Sequence, residues 1–240
     1  MTDPTGTLLS SNGYVTREEL DLIPTPLSTP THKPISYKRV NECFDEALAF
    51  RKIGTVKEAH AVNKNGMQYF GIRELDMGFG GGRYALGYRT SNDKTIGFGM
   101  TAGCKVVVCD NLLLRGDYTP LMHKHTSKFN LEEALSVGID NVLRYFEPMR
   151  LDIQRWQNTQ LSDDEARVHL YKICFEEESL QKHLLRSAHD NYFHPKHDEF
   201  LPRNLWSLNN ALTESIKALD PIQQQKAAAR IGEYFQHQHL

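Results

Sequence analysis

Long apolar runs are absent from this 240-residue chain. Nothing in it approaches the ~20 consecutive apolar residues that a bilayer-spanning helix needs, so no membrane partner is expected. The opening Met1-Thr-Asp-Pro-Thr-Gly6 has neither a basic n-region nor an apolar h-region, so no secretory signal is expected and the setting reads as cytoplasmic. Cysteine is scarce: Cys43, Cys104, Cys109 and Cys174 are spread without a CxxC pair, the pattern of reduced, buried thiols rather than a disulfide framework. Gly78-Phe-Gly-Gly-Gly82 lacks the Gly-Lys-Ser/Thr ending of a P-loop and is followed by a strand pattern, so phosphate-loop and dinucleotide fingerprints both fail. It is expected as a mobile loop between strands, open to close backbone approach.

Composition is that of an ordinary globular protein, 40% apolar and 24% charged. Net charge is only −2, which by itself argues against an indiscriminate nucleic-acid binder, yet the charge is unevenly spread. Residues 51–130 carry 12 Lys and Arg against 6 Asp and Glu, whereas residues 131–240 carry 12 against 17. Such asymmetry has two readings, an anionic partner for the middle segment or internal pairing with the acidic helices.

Patterning gives an α+β chain. Residues 1–35, with Pro4, Pro24, Pro26, Pro30 and Pro34, read as a flexible arm holding one short helix after the capping box Thr16-Arg-Glu-Glu19. A single core domain is expected over 36–220, with a C-terminal helix and tail over 221–240. Ser36 caps a helix over 37–52. An antiparallel-rich β-sheet then spans about residues 54–115, with an Asn65-Gly66 hairpin turn. Val106-Val-Val108 has the continuous apolar character of a strand at the sheet centre. Helices follow and are expected to pack on the sheet: a long one from Asn130 to about 157 kinked at Pro148, one over 162–188, one over 204–218, and a last one opening at Pro221.

Three constellations offer chemistry. His189, His194 and His197 cluster in an expected loop over 189–202, but their spacing matches no zinc template, so no metal site and no cofactor are expected. Cys104 and Cys109, five apart on a strand, would point to opposite faces, which argues against a shared zinc with His123 and His125. The third is the interleaving of aromatic and basic residues in the β half, the combination with which single-stranded nucleic acid is bound. On this reading Arg83, Arg89, Lys94, Lys105 and Lys124 contact phosphates, His125 adjoins them, and Tyr84 or Tyr88 stacks a base.

Four segments carry a resemblance: Leu86-Gly-Tyr-Arg-Thr-Ser-Asn-Asp-Lys94, Ala102-Gly-Cys-Lys-Val-Val-Val-Cys-Asp-Asn-Leu112, Lys124-His-Thr126 and Leu205-Trp-Ser-Leu-Asn-Asn-Ala-Leu-Thr-Glu214. In these the chain resembles the phage/plasmid-like protein family built on domain of unknown function 932. The resemblance implies a mobile genetic element in a bacterial host cell and supplies no activity or catalytic residue. Thr90 stands where asparagine is usual, and the histidine cluster lies outside the shared pattern. The leading expectation is a non-enzymatic nucleic-acid binder, single-stranded DNA its ligand, with annealing and self-association in keeping. One alternative is a protein-interaction or counter-defence factor that meets host or element-encoded proteins through the arm and the acidic helices at 162–188 and 204–235. The other is a metal-dependent enzyme acting on nucleotides or nucleic acid.

Overall fold

The computed structural model describes residues 14–30, 32–63, 65–114, 119–122 and 130–237. Lys124 and His125 lie outside the described residues. Strands β1 (Tyr14–Val15), β2 (Thr55–Val62), β3 (Gln68–Phe79), β4 (Gly82–Ser91), β5 (Phe98–Val106) and β6 (Leu112–Leu114) follow one another in sheet order, and β7 (Thr119–Met122) pairs with β5. The pairings β1–β2, β2–β3, β3–β4 and β5–β7 are antiparallel. Helices α1 (Arg17–Asp21) and α2 (Tyr37–Phe50) precede most of the sheet. After it come α3 (Leu131–Leu143), α4 (Phe146–Asn158), α5 (Asp163–Tyr171), α6 (Leu185–Phe193), α7 (Leu205–Ser215) and α8 (Pro221–Gln236). The fold is α+β, as expected.

The described residues form two compact units, one within 12–104 and 118–146, the other within 105–117 and 147–240. In the first, the sheet unit, register sorts the side chains. Tyr88 lies opposite Gly71, Leu86 opposite Arg73, and Arg73 opposite Glu58, so these share the face covered by α2. Helix α2 contributes Tyr37, Val40, Asn41, Phe44 and Leu48 to that interior, one stripe at three- and four-residue spacing. The Tyr88 ring lies on Gly71: a Cβ built there would sit 2.1 Å from Tyr88 Cζ, so only glycine admits the ring.

The interior of this unit is polar at its heart. Arg73, 1% exposed, reaches Asp45 Oδ1 at 2.5 Å, Glu58 Oε2 at 3.3 Å and Asn41 Oδ1 at 3.1 Å. The hydroxyls of Tyr69 and Tyr88 both donate toward Asn41 Oδ1, at 3.1 and 3.0 Å, and Tyr69 meets His60 Nδ1 at 2.8 Å. From α1, Arg17 closes the network on Asp45 (3.0 Å) and Glu58 (3.1 Å). The His60 imidazole 3.3 Å away, with the Arg73 and Arg17 guanidiniums, lowers the Glu58 carboxyl to about 2 despite partial burial. Each buried charge is thus paired, which its desolvation requires.

The described part of the N-terminal arm is fastened to this unit. β1 pairs with β2, Arg17 enters the network, and Asn92 exchanges hydrogen bonds with both backbone groups of Ile35 (3.1 and 3.2 Å).

In the second, helical unit, Trp156, Trp206 and Phe235 form the aromatic core, with ring centroids 6.5 and 5.5 Å from Trp156. Helix α8 packs against β6 here, the form in which C-terminal helix meets strand. Helix α7 is buried along nearly its whole length, and Asn111 donates to both Asn210 O (3.1 Å) and Asn210 Oδ1 (3.2 Å). Two of the segments that carry the resemblance, around Asn111 and Asn210, therefore bond to each other.

Four expectations need correction. Val106–Val108 is not a central strand: β5 ends at Val106, and Val107 and Val108 are 54% and 42% exposed in the turn closed by Val106 N to Asn111 O, 2.9 Å. Strands β2 to β5 each have neighbours on both sides, so Val106 closes an interior strand while Val107 and Val108 lie beyond it. The glycine segment is not a loop, because pairing runs to Phe79 opposite Gly82 and leaves Gly80-Gly81 as a tight turn, Gly81 at φ +84°. The helix kinked at Pro148 is two helices broken at Arg144–Tyr145. Pro148 sits in the first turn of α4, where a missing N–H forfeits no intrahelical bond. The 162–188 helix ends in a π turn at Lys172–Glu176, and α6 then holds His189, so the histidine loop begins only after Phe193.

Candidate nucleic-acid interface

Sequence reasoning named eight residues, and the structure distributes them. Tyr84 and Tyr88 point into the α2 side of the sheet. Tyr84 stacks on Phe146, with centroids 4.2 Å apart and planes 5° apart, and Tyr88 is fully buried in the polar network. Burial raises the Tyr88 phenol above its ordinary value. Neither ring presents a face to a ligand, which corrects their assignment as stacking residues. Arg83 and Arg89 lie on the opposite face by strand alternation, as does Lys57, which is opposite Glu74. Arg83 is exposed near the hairpin tip, 3.7 Å from Glu74 Oε2, whereas Arg89 is half-buried in mid-strand. Lys94 sits beyond the other end of β4, in an exposed turn at φ +67°. The strand between Arg83 and Ser91 alone spans roughly 26 Å at 3.3 Å per residue. Lys105 is buried and pairs with Asp110 at 3.4 Å. The described members of the set do not make one exposed cationic patch.

A different arrangement emerges in the helical unit. Between α5 and the segment from Lys182 into α6 runs an open groove of about 520 Å³, within the size range of small-ligand sites. Its rim carries the cations Arg167 on α5 and Lys182 and Arg186 across from it, together with the imidazoles of His183 and His189. Its floor is apolar, made by Leu170, Leu185 and the ring of Tyr171. No acidic residue lines it among the described residues.

Local sequence builds this groove. Ser162 caps α5, its hydroxyl accepting from Glu165 N (3.2 Å) while Glu165 bonds back to Ser162 N (2.7 Å). Arg167 and Tyr171, four residues apart, then share one helix face, and Lys182 and Arg186 repeat that spacing across the groove. The π turn after Tyr171 brings the Phe175 ring to 5.0 Å from that of Tyr171, at 23° between planes. Such turns recur at functional sites. Glu178, at φ +47°, ends the helix and lets the chain return along the other wall.

The rim carries some pairing. Arg167 meets Asp164 at 2.7 Å, and Arg186 lies 3.9 Å from Asp190 with a side chain 93% exposed. Solvated pairs of this sort contribute about 0–1 kcal/mol and yield readily to another anion. Cation–π contacts order two of the side chains: Lys182 Nζ lies 5.4 Å from the Phe175 centroid, and the Arg167 guanidinium 5.1 Å from that of Phe193.

The remaining chemistry-bearing groups are dispersed. His189 lies tilted against Phe193 at 4.5 Å, and His197 lies edge-on to Phe200 at 6.2 Å. Among the described residues no three His, Cys, Asp or Glu side chains converge as metal ligands. Burial pushes the Cys109 thiol up to about 11, so it is not held as a thiolate at neutral pH.

No helix among the described residues is long and apolar enough to cross a membrane. No curated protein and no solved structure matches the sequence. A family model does, over residues 30–234, which take in strands β2 to β7, the groove and all four segments of resemblance. The chain belongs to the family defined by the domain of unknown function DUF932.

Proposed function

We propose that this protein binds nucleic acid, single-stranded DNA foremost, and that it works by binding rather than by chemistry. The observation that carries the reading is the groove of the helical unit, where five cationic or imidazole side chains stand over an apolar floor with no carboxylate among the lining residues. A phosphate backbone supplies the charge such a rim lacks, and release of its condensed counterions drives association. The mobile-element setting rests on the motif resemblance, and the interface moves from the sheet residues to α5 and α6.

Binding of a fluorescently labelled single-stranded oligonucleotide, followed by anisotropy, tests this. With Arg167, Lys182 and Arg186 each on a phosphate, log affinity should fall against log salt with a slope of about −2. The double variant Lys182→Glu/Arg186→Glu should lose most of the affinity. Absence of binding at low salt, or binding indifferent to salt, would falsify the reading.

A further inference from the structure

The groove is more than a patch of charge, because its apolar floor continues into an uncovered aromatic pair. Tyr171 and Phe175 are 55% and 42% exposed, and their rings lie nearly parallel. Each ring lends one face to the other, and the part of the pair that stays exposed is unfavourable in water unless something covers it, with the cations around it narrowing what that is. Lys182 stands over Phe175, Arg167 is one helical turn from Tyr171, and Arg186 projects into solvent from the far wall. The complementary ligand has a flat, apolar, aromatic body joined at short range to an anionic group.

Resting on the nucleic-acid reading above, we infer that Tyr171 and Phe175 form a stacking platform for a nucleobase, so that the groove takes an unpaired nucleotide and discriminates single strands from duplex. A duplex offers its phosphates to the rim but keeps its bases inside its own stack, so it forgoes the platform. A single strand offers both, and every base has a π face, so this recognition tolerates sequence. The same chemistry is carried by a free mononucleotide, which lacks the neighbouring phosphates that reach Arg167 and Arg186 together.

Competition against a labelled single strand separates these cases, using an unlabelled strand, an abasic strand of equal length, a duplex and a mononucleotide. The unlabelled strand should compete on the order of ten-fold better than the abasic one, matching the contribution of about one stacked base. Duplex should compete no better than the abasic strand, and the mononucleotide more weakly than the full strand. Tyr171→Ala should lower affinity for the normal strand by a similar factor with an unchanged salt slope. It should leave affinity for the abasic strand as it was, and Tyr171→Phe should restore binding. Equal competition by normal and abasic strands, or full affinity in Tyr171→Ala, overturns the stacking platform while leaving the nucleic-acid reading intact. A mononucleotide competing as well as the strand overturns the single-strand assignment in favour of a free nucleotide. If no nucleic acid binds, both readings fall together.

Discussion

Two places where this protein assembles arginine with aromatic rings are opposite in character. In the sheet unit, Arg73 sits among Phe44, Tyr69 and Tyr88, and its buried charge is met by the partly buried Glu58 and by Asp45 at the edge of the interior. In the helical unit, Arg167, Lys182 and Arg186 stand near Tyr171 and Phe175, with these two rings and the charges open to solvent. The same residue types build structure in one place and, on the function proposed above, a binding surface in the other. Pairing and burial decide which. A cation buried among carboxylates cannot leave them without a large desolvation cost, whereas one on a solvated rim exchanges partners freely.

That contrast can be broken by mutation. Arg73→Leu should have the largest effect on folding, about 3–4 kcal/mol, because it empties the buried centre of the network and leaves Arg17 as the remaining arginine to hold Asp45 and Glu58. Urea denaturation would show it as a lowered midpoint with an unchanged slope.

Acid should act next. The Glu58 carboxyl falls from its ordinary 4.5 to about 2 in the fold. A depressed acid contributes stability that is complete above the unfolded value and lost as pH falls from about 4.5 toward 2, here up to about 3 kcal/mol. Denaturation midpoints across that window should drop less steeply in Glu58→Gln than in the parent. Equal slopes would place the acid sensitivity elsewhere.

Gly71→Ala should cost roughly 1–3 kcal/mol, by driving a methyl into the Tyr88 ring. A thermal melt within a degree of the parent would mean that the ring has somewhere else to go. The groove variant Lys182→Glu/Arg186→Glu should shift stability least, within about 0.5 kcal/mol, although it removes binding.

Much of the fold was legible in the chain. The caps at Thr16, Ser36, Asn130 and Ser162 each accept the bond expected of them, since capping needs only residues within one turn. The strands from Thr55 to Leu114 were also readable from hydrophobic period, whereas β1 (Tyr14–Val15) and β7 (Thr119–Met122) fall outside the expected bounds. Val107 and Val108 misled because an apolar run looks alike in a buried strand and in a turn. What settles it is the left-handed Asp110, φ +56°, and the closure of Val106 on Asn111.

The site was less legible. Tyr84 and Tyr88 follow the alternation of a strand, but which parity faces inward depends on where α2 lies and on the gap left by Gly71. The groove was hidden by arithmetic over long segments, because Asp163, Asp164 and Glu165, and then Glu176, Glu177 and Glu178, outweigh its cations in any wide window. A finer signal was present. Arg167, Tyr171 and Phe175 recur at four-residue spacing, and Lys182 and Arg186 repeat it, which marks a cationic and aromatic helix face.

Anisotropy titrations of one labelled single strand, run in parallel across a salt series with two charge-reversed proteins, test the central claim most directly. Lys182→Glu/Arg186→Glu should bind weakly with a flattened salt dependence, and Arg83→Glu/Lys94→Glu should bind as the parent does. Loss of binding in the sheet variant with retention in the groove variant would contradict the account.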